Sequence, residues 1–124
     1  MPPRITGRGF LGGADLARRV VDLLAEKQAD DILLLDISQL QVFADYFVIA
    51  SAVNVRQMQA LLEALDETLK QAVPGPFRSE GATDSGWVLL DLGDVIVHLF
   101  SPEQRLYYDI ERLWSGGTPV VRIQ

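Results

Sequence analysis

One histidine, no cysteine and a few clustered acids bound the chemistry open to this chain. Gly7-Arg8-Gly9-Phe10-Leu11-Gly12 has the glycine spacing of a dinucleotide-binding loop, but such a loop works only where a buried strand delivers it to a helix N-terminus. The residues before it include Pro2 and Pro3, so the segment reads as a flexible arm. No phosphate-binding G-x-x-x-x-G-K-[ST] loop occurs. His98 would need a nearby nucleophile and an orienting acid to catalyse acyl transfer, and no G-x-S-x-G elbow is present. It reads as a strand residue with a satisfied ring, able to join a binding face. Asp91 and Asp94 are the candidates for a magnesium-binding acid pair, but Asp94 falls in a turn and Asp91 has no second acid two residues away. Asp30-Asp31 reads as a solvated loop pair. No catalytic residue, metal ligand or cofactor is expected.

The elements that would carry these residues fit one domain. A chain of 124 residues with 48% hydrophobic and 23% charged side chains is long enough to bury its own core. The absence of cysteine removes any disulfide framework and any thiolate metal site. No apolar run approaches the roughly 20 residues of a membrane span, and the N-terminus lacks the core of a secretory signal, so a cytoplasmic protein is expected. With 11 Lys and Arg against 17 Asp and Glu, the net charge of -6 has the wrong sign for gripping phosphates. It suits a basic protein partner instead.

Residues 1–13 are expected as a flexible N-terminal arm, 14–115 as the domain, and 116–124 as a C-terminal tail. Leu16, Val20, Leu23 and Leu24 recur at helical spacing over Asp15 to Lys27. Ile32 to Leu35 and Tyr46 to Ala50 are short apolar runs of the kind found in central strands. Asn54 caps a second helix with the apolar stripe Val55, Met58, Leu62, Leu65 and Leu69, ended by Pro74-Gly75-Pro76. A short strand is expected near Phe77 to Glu80. Ser101-Pro102 opens a third helix running to Trp114, with Leu106, Ile110, Leu113 and Trp114 as its core stripe. Tyr107 and Tyr108 support either packing or self-association. The pattern predicts an α+β domain with one mixed sheet flanked by helices.

Trp87 to Leu92 and Val95 to Phe100 form a hairpin around Gly93-Asp94. A two-residue loop pairs Leu92 with Val95, Leu90 with Val97 and Val88 with Leu99, which makes one face wholly aliphatic and turns it to the core. The opposite face carries Trp87, Leu89 and Asp91 against Phe100, His98 and Ile96. It serves either as a second packing surface under a helix or as a docking patch, for which aromatic anchors are well suited.

Asp36-Ile37-Ser38, the run Ala44-Asp45-Tyr46-Phe47-Val48-Ile49-Ala50-Ser51, the run from Gly86 to Phe100 and the run from Arg105 to Trp114 together resemble the ribosomal silencing factor, or Iojap-like, family. The resemblance covers residues 14 to 115. It implies a nucleotidyltransferase-like fold and a non-enzymatic protein that binds the large ribosomal subunit through its ribosomal protein fourteen, blocks subunit joining and represses translation. It also implies a homodimer in bacterial members and large-subunit assembly in organellar ones. Carried over by motif, the partner-facing residues are Trp87, Leu89, Asp91, Ile96, His98 and Phe100, with Tyr46. Ser51-Ala52-Val53-Asn54 departs from the family's Gly-, Ser- and Thr-rich turn. The alternative function is a degenerate or active nucleotidyltransferase, or a large-subunit assembly factor.

Overall fold

A computed structural model of the chain describes residues 12–40, 42–71 and 78–124. The first helix, α1 (Gly13–Glu26), turns Leu16, Ala17, Val20, Val21 and Leu24 inward at helical spacing. It ends where Gln28 takes a left-handed φ of 64° and returns its N–H to the Ala25 carbonyl. The glycine-spaced motif, apart from Gly12, lies outside the described residues.

The two apolar runs become β1 (Asp30–Asp36) and β2 (Tyr46–Ser51), an antiparallel pair joined through a 3₁₀ turn at Ser38–Leu40. The Asp36 carboxylate accepts from the Ser38 amide and hydroxyl at 2.9 and 2.6 Å, tying down the start of that turn. Asn54 caps α2 (Val55–Leu69) as expected, its Oδ1 accepting the Gln57 amide at 2.8 Å. The buried stripe is Met58, Leu61, Leu65 and Leu69, whereas Val55 is exposed and Leu62 only half-buried. The apolar arc of this helix is broad, and its seat on the sheet selects the part that is covered. Pro74-Gly75-Pro76 lies outside the described residues.

β3 (Arg78–Glu80), β4 (Trp87–Asp91) and β5 (Val95–Phe100) follow. The β4–β5 hairpin has the expected register, Trp87 opposite Phe100 through Asp91 opposite Ile96, with Gly93 at φ 93° in the turn. Strand order is β3-β4-β5-β2-β1, then a sixth strand at the far edge; β2 and β5 run parallel and the other neighbours antiparallel. The fold is α+β with a mixed sheet.

Two expectations about the C-terminal third fail. The third helix divides at Asp109, which takes a left-handed conformation (φ 48°, ψ 48°) between α3 (Pro102–Tyr108) and α4 (Ile110–Leu113). The change of axis leaves Leu106 and Leu113 outside, 82% and 76% exposed, while Ile110 alone of the expected stripe is fully buried. Residues 116–124 are likewise no tail, because Thr118–Ile123 forms β6 on the outer edge of β1. Gly117 makes this return possible: a Cβ there would stand 2.9 Å from both Ile37 and Leu35 side chains. Pro119, which has no N–H to donate, sits beside a register shift in this edge strand, where a missing ladder bond is tolerated.

Helices α1 and α2 cover one face of the sheet over a core of Val48, Ala50, Val88, Leu90, Val97 and Leu99. The other face packs Leu33, Leu35, Phe47, Ile49, Ile96 and Phe100, and among the described residues Ile37, Ala44 and Ile110 are the buried side chains added to them. This lightly covered face bears the candidate site.

Candidate functional site

Strand alternation sends Val88 and Leu90 into the helix-covered core and leaves Trp87, Leu89 and Asp91 half-buried on the lightly covered face. Their cross-strand partners are deeper. Ile96, His98 and Phe100 are all buried, His98 to 5% exposure, because β5 lies between β4 and β2 inside the sheet. The two strands therefore divide the expected site residues: β4 presents its side chains and β5 supports them. Tyr46 does not join them. It pairs with Val95 and packs against the opposite core beside Gly13, and burial, followed by the charges of Asp36 and Asp45, raises its phenol above the ordinary value.

Trp87 is held from three directions. Its ring stacks on Phe100 at 5.0 Å, meets Tyr108 of α3 at 4.6 Å, and its indole N–H donates to His98 Nδ1 at 3.3 Å. Phe47 presses edge-on against the imidazole at 4.7 Å. Desolvation lowers the His98 pKa to about 4, so the ring is neutral near pH 7. Glu80, Gly81, Trp87 and Leu89 line an open depression of about 240 Å3 beside the indole. At the far side of the same face, Phe43 is 70% exposed and meets Trp114 edge-on at 6.1 Å. Neither Phe43 nor the exposure of Leu106 and Leu113 is visible from periodicity, since a loop residue and a broken helix both fall outside it.

The same face of the sheet carries an ion cluster that sequence reasoning missed. Arg105, outside the expected core stripe of its helix, is buried; it donates to Glu111 at 2.8 Å, to the Asp31 carbonyl at 2.6 Å and to Ser51 Oγ at 2.9 Å. Asp31, expected as a solvated loop residue, accepts two bonds from Arg122 of β6 at 3.0 and 2.9 Å. The Arg122 bonds, helped by the nearby charges of Arg105 and Arg122, hold its carboxyl below the usual range against the opposing effect of burial. The cluster joins β1, β2, α3, α4 and β6.

The Asp91 carboxylate accepts the Gly93 amide at 2.9 Å and so braces the hairpin turn. Among the described residues no three His, Cys, Asp or Glu side chains are grouped to hold a metal. A second depression of about 230 Å3, next to the Asn54 cap, is bordered by Asp84 and Glu103, which repel a phosphate.

Comparison with known proteins supplies the identity. The family described as "Ribosomal silencing factor during starvation" matches residues 13–124. A ribosomal silencing factor of Zymomonas mobilis is 40% identical over 82% of this chain and 77% of its own length. The mouse protein named "Mitochondrial assembly of ribosomal large subunit protein 1" is 31% identical over 77% of this chain but 43% of its own. A crystal structure of a Chromobacterium violaceum protein superposes with a TM-score of 0.78 at 33% identity, covering 92% of this chain and 95% of the other. On these matches, and with the sheet and hairpin motifs in their expected places, the chain belongs to the ribosomal silencing factor family, RsfS.

Proposed function

We propose that the protein represses translation by docking on the large ribosomal subunit through the β4 side of its lightly covered face. Large-subunit ribosomal protein fourteen is the contact, and the bound domain occludes the surface that the small subunit must reach. One observation carries the reading: Trp87 is half-exposed at the lip of an apolar depression, yet its ring is already held by His98, Phe100 and Tyr108. An aromatic anchor fixed before binding loses little rotamer entropy when it docks. The net charge of -6 favours a basic protein partner over direct contact with RNA. Occlusion needs no catalytic group. In this reading the protein acts in the cytoplasm, and the exposed Leu106 and Tyr107 of α3 suit a homodimer contact.

Sedimentation with isolated large subunits followed by a subunit-joining assay tests both halves of the proposal. The wild-type protein is expected to cosediment and to inhibit joining; failure to cosediment sinks the reading. Trp87→Ala is expected to keep its circular dichroism spectrum and to bind about thirtyfold more weakly, as a hot-spot anchor worth about 2 kcal/mol would. If that variant unfolds, Trp87 is a core residue and the docking face lies elsewhere.

A further inference from the structure

Ring contacts hold the Trp87 indole in depth and tilt but leave one freedom open. Stacking on Phe100 and contact with Tyr108 are dispersive, and their energy changes little when the indole slides or turns within its own plane. A hydrogen bond is directional, and among the described residues the indole N–H makes one, to His98 Nδ1. His98 is itself firmly seated in β5, with Leu89 and Ile49 as its register neighbours and Phe47 against its ring. Because Nδ1 accepts, the imidazole proton sits on Nε2, which is buried without a partner among the described residues. A leucine would fill this apolar site without an unpaired polar atom. What the imidazole adds is the acceptor.

We propose that His98 is a positioning residue for the docking face: as an uncharged imidazole it accepts the Trp87 indole N–H and sets the in-plane orientation in which that ring meets the partner. The inference rests on the docking reading of Trp87. Protonation would put a second N–H at Nδ1, facing the indole N–H, and the bond would be lost. Few neighbouring groups could stabilise the charged ring. β4 contributes Asp91 at the far end of the face, β3 contributes Glu80 on the far side of Leu89, and α3 contributes the Tyr108 phenol and Arg105, the latter bound to Glu111 and Ser51. β2 offers Phe47 and Ile49, and α4 offers Ile110. The acceptor therefore persists at neutral pH and is released in acid.

The test compares His98→Leu with His98→Asn, whose Oδ1 can take the place of Nδ1 without titrating. The readouts are binding to isolated large subunits and the 15N-resolved indole N–H resonance of Trp87, assigned by its loss in Trp87→Phe. His98→Leu is expected to shift the indole resonance and to weaken binding about tenfold, the loss typical of one hydrogen bond. His98→Asn is expected to restore both. If His98→Leu binds like wild type while Trp87→Ala does not, the positioning role is overturned and the docking reading stands. If Trp87→Ala also binds like wild type, the docking reading itself fails. Should His98→Leu not fold, a pH titration of the wild-type protein decides: the indole resonance must follow protonation of His98, and an unmoved resonance overturns the proposal.

Discussion

His98 and Arg105 are the two residues whose roles depend most on burial. A histidine whose folded pKa falls to about 4 from 6.5 binds fewer protons folded than unfolded. Its contribution to stability is complete above about pH 6.5, declines as pH falls toward 4 and is lost below that. The decline amounts to about 3 kcal/mol. Urea unfolding between pH 7 and pH 4 should show it, and His98→Leu should flatten the curve in that window. Asp31, whose pKa is lowered, acts in a separate window: its stabilisation is present above the ordinary carboxylate pKa and disappears at lower pH. Arg105→Ala leaves Glu111, Ser51 and the Asp31 carbonyl without their buried donor. It should destabilise the fold by about 3 kcal/mol in the same unfolding assay. Both residues were visible in the sequence as types. That one would be a buried acceptor and the other a buried ion was not, because burial of a charged group is decided by partners on β1, β2 and α4.

Among the elements, strands and caps were more legible than helix faces. The hairpin register followed from the Gly93-Asp94 turn and from alternation, since a slip of one residue would exchange Val88 and Leu90 for Trp87 and Leu89 in the core. The Asn54 and Ser101 caps followed from local side-chain geometry. The α2 stripe was misassigned at two positions, and this sets a direct comparison. Leu61→Ala should cost about 3 kcal/mol, as for a filled core site. Val55→Ala should change stability by less than about 0.5 kcal/mol, as for an exposed one. Thermal unfolding of the two variants separates the readings. The break at Asp109 and the pairing of β6 were illegible for a different reason: each depends on contacts with β1 or its neighbours far away in sequence.

At the scale of the whole molecule, an acidic domain with one heavily covered sheet face and one lightly covered face is suited to act as a body attached by a surface. Complementary charge speeds encounter more than it adds to final affinity. Raising salt from about 0.05 to 0.3 M should therefore slow association of the protein with large subunits several-fold, while dissociation changes much less. Stopped-flow measurement on labelled large subunits checks this, and a dissociation rate that carries all the salt dependence would count against steering by net charge.

The sequence by itself determined the mixed α+β class, the hairpin, the caps and the aliphatic core face, because each rests on local propensity or on a strict two-residue period. Motif order also pointed to the family. Tertiary structure decided which half of the candidate site is presented and which is buried, and it moved Tyr46 to the opposite face. It also made residues 118–123 a strand and Arg105 an interior ion. The physical reason is common to all of these. Whether a side chain on a given face reaches solvent depends on what another part of the chain lays over it, and no local period records that.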